Sequence, residues 1–120
     1  SFNYLMKKNI ICFDIDGVIC HTKDNDYKNS KPNQIIINEI NKLYKKNFTI
    51  KIFTARFMGR NKENAINAKK QGYQFTKKQL QKWGVKFDKL IMGKPSYDIF
   101  IDDKSFNVKA NWKKKIRDQF

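Results

Sequence analysis

The sequence predicts an α/β domain with a three-layer, Rossmann-like arrangement around a mostly parallel sheet. Short apolar segments suited to buried strands alternate with segments whose apolar residues recur at helical spacing, an order typical of α/β layers. The strand segments end in polar residues, and parallel sheets bind ligands at the carboxyl ends of their strands. The length of 120 residues fits a single domain, within which residues 1–5, ahead of Met6, are a candidate expression remnant.

The first half of the chain contains two predicted strands and one predicted helix. The apolar run at 9–13 indicates a central strand covered on both faces, and the polar stretch 21–31 indicates a loop. Pro32 suits a first helical turn. Apolar residues then recur at helical spacing at Ile36, Ile37, Ile40, Leu43 and Tyr44. Asn47 is placed to end that helix, and residues 48–53 alternate as a strand does.

The second half adds helices and two further strands. Residues 57–75 indicate a loop and a weakly amphipathic helix that ends near Gly72. Thr76 and Gln79 have the capping-box spacing that opens a second, short helix. Two apolar segments suit parallel strands, Lys89–Met92 and 99–101. Apolar residues four apart predict a closing helix in the tail, at Val108, Trp112, Ile116 and Phe120.

The formal net charge of +15 attracts anions such as phosphate esters, nucleotides, nucleic acids or acidic membranes. Lysine supplies nearly all of this charge, and the arginines are Arg56, Arg60 and Arg117. Asparagine and isoleucine are also abundant, so part of the charge reflects codon bias rather than a nucleic-acid interface. The basic tail at 109–117 is therefore expected to be a solvated helix face, and nucleic acid is not an expected partner.

The cysteine usage indicates a cytoplasmic protein. Cys12 and Cys20 lack CxxC spacing and are expected to be reduced thiols. A zinc site is not expected, because His21 is the lone histidine and Cys12 is expected to face the core. The sequence has no run of 18 apolar residues, so no membrane span is expected.

The predicted strand ends carry residues suited to one chemistry. The first strand ends in Asp14 and Asp16, with Gly17 permitting a sharp turn; the second ends in Thr54, and Lys94 follows the third. Two more acids follow the fourth, Asp102 and Asp103. Because these ends meet at one edge of a parallel sheet, the groups are expected to converge. A hard cation such as magnesium would neutralise the acids, and lysine, hydroxyl and backbone N–H groups would bind a phosphoryl group.

The acid pair predicts the type of reaction. One carboxylate facing the phosphorus can act as a nucleophile and form an aspartyl-phosphate. A carboxylate two residues further on can protonate the leaving oxygen and later activate water. Residues near these strand ends are candidates for substrate contacts, namely Gly17, Ala55, Arg56, Arg60 and His21. Tyr27 is a loop aromatic suited to stacking on a sugar or base.

The segments FDIDGV, FTAR, GKP and IDD, in this order, resemble the four motifs of the haloacid dehalogenase-like (HAD) superfamily of phosphotransferases. The resemblance covers about residues 8–106. It implies that Asp14 is the nucleophile and Asp16 the general acid and base. It also implies that Thr54 and Lys94 bind the phosphoryl group.

The resemblance further implies a cofactor and a substrate class. The superfamily's metal is magnesium, which would be held by Asp14, by the backbone carbonyl of Asp16, and by Asp102 with Asp103 in support. The small size and the stretch at 83–95, WGVKFDKLIMGKP, also resemble the short phosphatases of capsular polysaccharide biosynthesis. That closer resemblance implies a sugar phosphate as substrate.

The motif spacing leaves no room for a cap domain. About 37 residues separate Asp16 from Thr54, and about 40 separate Thr54 from Lys94. Capless members of the superfamily take larger substrates or oligomerise so that a neighbour closes the site. A capless domain is therefore predicted, with a homo-oligomer as one expected assembly and the loops 21–31 and 57–75 as the segments that select the substrate.

Other functions stay open on the sequence. A receiver-like phosphoacceptor signalling domain has similar length and residues, but its phosphoacceptor aspartate lies near mid-chain, where this sequence has Thr54. A nucleic-acid end or nucleotide phosphatase of the same superfamily would exploit the net charge, and steep salt dependence of oligonucleotide binding would support it. A catalytically inactive binding module is disfavoured by the full set of four motifs.

Overall fold

The computed structural model describes residues 8–120; the proposed expression remnant at 1–5 lies outside them. Helices in this range span Gln34–Lys45 (α1), Ala65–Lys82 (α2) and Trp112–Gln119 (α3). Strands span Lys8–Phe13 (β1), Cys20–His21 (β2), Lys31–Pro32 (β3), Phe48–Thr54 (β4) and Lys89–Met92 (β5). Short 3-10 turns occupy Tyr27–Asn29 and Gly59–Asn61. Over residues 8–120, no helix has the length and apolar character needed to cross a membrane.

The main sheet is parallel, with β4 between β1 and β5. Ile11 lies opposite Ile50, and Ile52 lies between Phe13 and Leu90. The short strands β2 and β3 pair antiparallel, separately from this sheet. Parallel strands point their carboxyl ends to one edge, so the residues after β1, β4 and β5 are brought together. The α/β class and these three predicted strands are confirmed.

The core lies on the sheet face formed by alternate residues of β4. Phe48, Ile50 and Ile52 are at most 5% exposed. Residues of the three helices pack into the same cluster, namely Ile37, Ile40, Leu80 and Trp112. The rings of Phe13 and Trp112 meet edge to face with centroids 5.5 Å apart. The tail helix predicted from the four-residue spacing is confirmed from Trp112 onward, whereas Val108 lies in a turn before it. The aromatic contact holds the helix against β1.

The ends of α1 follow local capping chemistry. Asn33 is the N-cap, and its side chain accepts a hydrogen bond from the Ile36 N–H at 3.2 Å. Because Asn33 caps the helix, Pro32 precedes it in β3, and its predicted place in the first turn is wrong. Asn47 follows the helix with φ 73°, a left-handed conformation that asparagine tolerates. The predicted end of the helix at Asn47 is confirmed.

Helix α2 is one continuous helix where the sequence predicted two. The Asn64 side chain caps it by accepting from the Asn67 N–H at 3.0 Å. Thr76 is completely buried in mid-helix, so it is not a cap residue. Gly72 is also buried, and an added Cβ there would meet the ring of Phe57. The glycine that resembled a helix end instead marks a close approach between α2 and the loop after β4.

Gly72→Ala is expected to destabilise the fold, although alanine favours helices by about 1 kcal/mol over glycine. Its Cβ would overlap the Phe57 ring, lying 2.5 Å from Cε2, and overpacking of this kind costs about 1–3 kcal/mol. The midpoint of denaturant unfolding measures the effect. Gly59→Ala is the matched control, because its Cβ would meet no heavy atom within 4 Å. Equal stabilities for the two variants would contradict the packing seen at Gly72.

The fourth strand predicted at 99–101 is absent, since residues 93–111 contain neither helix nor strand. Ile99 is 78% exposed and Ile101 is 91% exposed. The rings of Tyr97 and Phe100 contact each other with centroids 5.0 Å apart. Neither isoleucine is buried, so the segment does not pack on the core that would hold a fourth strand. The local apolar pattern therefore predicted the wrong conformation.

The expectation that Cys12 faces the core is also wrong. Cys12 is exposed, whereas its neighbour Phe13 is in the core cluster. Successive residues of a strand point to opposite faces, so Cys12 shares the outer face of β1 with Ile10, which is 58% exposed. The continuous apolar run suggested a strand covered on both faces, but the described structure leaves this face of β1 open.

Ile101→Ser is expected to change the free energy of unfolding by less than about 0.5 kcal/mol, as for other exposed positions. The side chain is almost fully exposed, so little apolar burial is lost. Ile52→Ala, at a completely buried position, is expected to cost about 2–5 kcal/mol and calibrates the measurement. A loss of several kcal/mol for Ile101→Ser in thermal or denaturant unfolding would show instead that the predicted strand forms in solution.

Candidate active site

Three of the predicted catalytic residues meet at the carboxyl edge of the parallel sheet. Asp14 follows β1, Thr54 ends β4, and Lys94 lies two residues beyond β5. The Lys94 Nζ lies 3.5 Å from Asp14 Oδ2. The Lys94 N–H donates to the carbonyl oxygen of Thr54 at 3.1 Å, which ties the loop after β5 to the end of β4. The predicted convergence of Asp14, Thr54 and Lys94 is therefore seen.

Burial sets the electrostatics of the Asp14–Lys94 pair. Desolvation raises the pKa of the Asp14 carboxyl above its ordinary value, and the Lys94 charge only partly opposes this. Burial alone would lower the pKa of Lys94, but hydrogen bonding to Tyr97 and the Asp14 charge outweigh it and raise that pKa. Lys94 is 8% exposed, and its Nζ lies 5.1 Å from the Tyr97 ring centroid. The site thus holds a charged lysine beside a carboxylate that solvent stabilises poorly.

Backbone hydrogen bonds fix the two neighbouring polar groups. Asp14 Oδ1 accepts from the Ile15 N–H at 2.8 Å, and Thr54 Oγ1 accepts from the Arg56 N–H at 3.1 Å. The turn after β1 passes through Gly17 at φ 86°, as the sequence predicted. The Gly17 N–H donates to the Cys20 carbonyl at 2.9 Å, so it serves the turn, while its predicted contact with substrate stays a prediction.

The Asp16 carboxylate is held by a network. Arg56 donates to both of its oxygens, from Nε to Oδ2 and from Nη2 to Oδ1, each at 2.9 Å. The Thr22 hydroxyl donates to Oδ1 at 2.5 Å, and the Cys20 thiol donates to the same oxygen at 3.5 Å. Both oxygens of Asp16 are thus bound by residues directly after β4 and at the start of the 20–30 loop.

Arg56 does not lie where a substrate could contact it. The residue is 1% exposed, and its guanidinium Nη1 donates to Gln79 Oε1 at 2.6 Å. The guanidinium carbon lies 4.7 Å from the centroid of the Tyr27 ring, and Tyr27 is itself buried at 9% exposure. The predicted substrate contacts of Arg56 and Tyr27 are therefore wrong, because the two residues pack on each other below the surface.

The remaining candidates for substrate contact lie at the surface or half-buried. Arg60 is exposed; its Nη2 donates to the Asn25 carbonyl at 3.1 Å, and it packs over the rings of Tyr27 and Phe57. His21 is exposed in β2, and Ala55 is half-buried directly after β4. The substrate contacts of these residues stay predictions.

Asp102 and Asp103 lie after the loop that carries Lys94. Both are exposed on the segment that lacks the predicted strand. The pKa of Asp102 is lowered by hydrogen bonding with Asp103 and with the backbone N–H of Lys104. In residues 8–120, no group of three or more histidine, cysteine, aspartate or glutamate side chains is arranged to hold a metal ion. The magnesium ligands implied by the resemblance stay a prediction.

The sequence pattern does not show the partners that hold the site together. Gln79 has the spacing of a capping box, yet it accepts a hydrogen bond from Arg56 and donates from Nε2 to the Tyr27 carbonyl at 2.7 Å. Glu63 accepts from the Ser96 N–H and hydroxyl, each at 2.9 Å, and so anchors the loop that carries Lys94. One signal was available, because an arginine is conspicuous in a chain whose basic residues are nearly all lysine.

The fold is similar to that of a solved structure, the crystal structure of a structural-genomics target from Vibrio cholerae. The two share 25% sequence identity and superpose with a TM-score of 0.80, over 93% of this chain and 95% of that one. Comparison with protein-family models gives no match, and comparison with curated proteins gives none either. The likeness supports the α/β fold along nearly the whole described chain and carries no information about activity.

Proposed function

We propose that the chain is a HAD-like phosphomonoesterase that works through an aspartyl-phosphate on Asp14. The observation that carries the proposal is the Asp14–Lys94 pair beside Thr54, at the carboxyl edge of a parallel sheet. The proposal includes a capless, three-layer Rossmann-like architecture, a cytoplasmic location, and a sugar phosphate or related metabolite of capsular polysaccharide biosynthesis as substrate. A homo-oligomer that closes the uncapped site belongs to the same proposal.

The chemistry of the pair favours phosphoryl transfer over a purely structural ion pair. Removing two charges from water is costly, and a buried pair often stabilises a fold less than apolar side chains would. A lysine charge next to a hydroxyl supplies what a phosphoryl group needs for binding, and a poorly solvated carboxylate is a suitable nucleophile beside it. The +15 net charge adds attraction for an anionic substrate.

The proposed reaction has two displacement steps. In the first, an Asp14 carboxylate oxygen attacks the phosphorus, the bond from phosphorus to the leaving oxygen breaks, and that oxygen takes a proton from the Asp16 carboxyl. In the second, water attacks the phosphorus and gives a proton to the Asp16 carboxylate, and the bond from phosphorus to Asp14 breaks. Lys94 and Thr54 bind the phosphoryl oxygens in both steps.

Magnesium is part of the proposal through the resemblance, which implies Asp14, the Asp16 carbonyl, Asp102 and Asp103 as its ligands. Asp102 and Asp103 are exposed, and among residues 8–120 no group of three or more histidine, cysteine, aspartate or glutamate side chains is arranged to hold a metal ion. Phosphate release measured with and without excess chelator tests the requirement for the metal.

The basic tail gives little support to the alternative of a nucleic-acid end phosphatase. Lys114 lies 3.6 Å from Asp118 on the same helix, and Lys113 lies 3.9 Å from Glu39 of α1. Lys115 packs over the ring of Phe106. These lysines therefore have partners within the chain. Steep salt dependence of oligonucleotide binding would nevertheless move the proposal to that substrate class.

A phosphatase screen tests the proposed function. The full chain is assayed for phosphate release from sugar phosphates, nucleotides and 5′-phosphorylated oligonucleotides, with Asp14→Asn as the matched inactive control. Release by the wild type that is absent in the variant supports the proposal, and the preferred compound assigns the substrate class. A folded wild-type chain that is inactive on all three classes contradicts it.

A further inference from the structure

We propose that Arg56 is a positioning residue, whose guanidinium fixes the Asp16 carboxylate for proton transfer to and from the reacting oxygens. The inference rests on the proposed function. Burial excludes the substrate contact predicted for Arg56. The proposed role of Arg56 is instead to act on the reaction through Asp16.

The first observation is the geometry of the pair. Arg56 Nε and Nη2 donate to the two different oxygens of Asp16, each at 2.9 Å, so the contact is a bidentate fork. Two parallel hydrogen bonds fix the plane of a carboxylate as well as its position. The Thr22 hydroxyl adds a third bond, to Oδ1. The Asp16 carboxylate, two residues after Asp14 in the chain, is therefore held in one orientation.

The second observation is that Arg56 is itself held on every side. Its side chain has no accessible surface, its Nη1 donates to Gln79, and its guanidinium stacks on the Tyr27 ring. Its backbone N–H donates to the Thr54 hydroxyl oxygen. One residue thus orients both Asp16 and Thr54. Groups whose supporting contacts are locked in this way hold catalytic side chains in productive geometry.

The third observation is the residue type. Lysine is the default basic residue of this chain, yet this buried position carries arginine. A lysine ammonium is a point charge on a flexible stem and cannot form two parallel bonds to one carboxylate, whereas the planar guanidinium can. The chain therefore uses arginine where orientation of the partner matters. Charge compensation alone would need only a lysine.

The role predicts a distinctive kinetic pattern. A misoriented Asp16 should slow the reaction most where the leaving oxygen most needs a proton, as in an alkyl phosphate. An aryl phosphate such as p-nitrophenyl phosphate has a leaving oxygen that needs little protonation. Phosphate binding by Lys94 should be spared. Hydrolysis of the aspartyl-phosphate is common to both substrates, whereas kcat/KM reports the first step, in which the leaving oxygen is protonated. Loss of Arg56 should therefore lower kcat/KM more on the alkyl than on the aryl substrate.

The experiment compares Arg56→Met and Arg56→Lys with Arg117→Met in the full chain, on p-nitrophenyl phosphate and an alkyl monophosphate. Both Arg56 variants are expected to lower kcat/KM on the alkyl substrate by about tenfold or more, since small misplacements of a catalytic group can cost a hundredfold. The loss on the aryl substrate should be smaller, as for Asp16→Ala. Arg117→Met, an exposed control on α3, should stay within about twofold, as surface substitutions away from such contacts do.

Other outcomes separate the inference from the proposed function. An inactive wild type overturns the proposed function and this role with it. An active wild type whose Arg56 variants lose kcat/KM equally on both substrates, or only bind inorganic phosphate more weakly, overturns the positioning role alone. If Arg56→Met does not fold, Gln79→Leu removes the Nη1 contact while keeping the charge, and should show the same substrate pattern in weaker form. A crystal structure of Arg56→Lys with Asp16 unmoved also overturns the role.

Discussion

Asp14→Asn is expected to abolish phosphate release while the protein stays folded. Asparagine keeps the shape of the side chain but lacks the carboxylate oxygen that would attack phosphorus. Loss of a nucleophile removes the covalent route altogether, so kcat should fall by at least about a thousandfold. The variant should still bind inorganic phosphate, because Lys94 and Thr54 are unchanged.

The same substitution is expected to stabilise the fold at neutral pH. Desolvation raises the pKa of Asp14 in the native state above the ordinary 3.8 of the unfolded chain. The native state therefore binds more protons than the unfolded state between those two pKa values, and stability falls as pH rises through this window. A neutral asparagine avoids that cost, so its melting temperature should exceed that of the wild type at pH 7. The gain should shrink below pH 3.8, where Asp14 is protonated in both states.

Two measurements on one preparation check this prediction. Phosphate release gives the catalytic effect, and thermal unfolding at several pH values gives the stability effect. Retained turnover in Asp14→Asn would overturn the assignment of the nucleophile. A lower melting temperature for Asp14→Asn at pH 7 would contradict the stability prediction. It would show that the ion pair with Lys94 stabilises the fold by more than burial of the Asp14 charge costs.

The site residues that could be predicted from the sequence are those for which a local pattern and one rule of sheet topology suffice. Asp14, Thr54 and Lys94 each follow a short apolar segment, and a parallel sheet brings such ends to one edge. Their convergence could thus be predicted without knowing any long-range contact. The structure adds the distances and the burial that make the Asp14–Lys94 pair chemically distinctive.

The errors arose where tertiary contacts override local pattern. Ile99 and Ile101 alternate as strand residues do, but both are exposed, and the segment does not join the sheet. Gly72 resembled a helix end because its fit against Phe57 cannot be read from neighbouring residues. Arg56 follows Asp16 by 40 residues along the chain, so the sequence shows the two side chains but not the fork that joins them.

The second large expected effect concerns the Arg56–Asp16 pair. Removing Asp16 is expected to lower the free energy of unfolding by more than removing Arg56. Asp16→Ala leaves a guanidinium with no accessible surface without its carboxylate, and an uncompensated buried charge costs about 3–5 kcal/mol. Arg56→Met leaves Asp16, whose side chain is 29% exposed and can be hydrated, so its cost should be about 1–3 kcal/mol. Urea unfolding of each variant measures the two costs.

The double variant decides what the pair contributes. With Asp16→Ala and Arg56→Met together, no unpaired charge stays buried, so the cost should lie close to that of Arg56→Met alone and well below the sum of the two singles. Additive losses would mean that the two side chains stabilise the fold independently, which would contradict the bidentate contact between them. A small cost for the double variant, with catalysis lost, would show that the fold does not need this buried ion pair. The fork would then be explained by the orientation that it gives to Asp16.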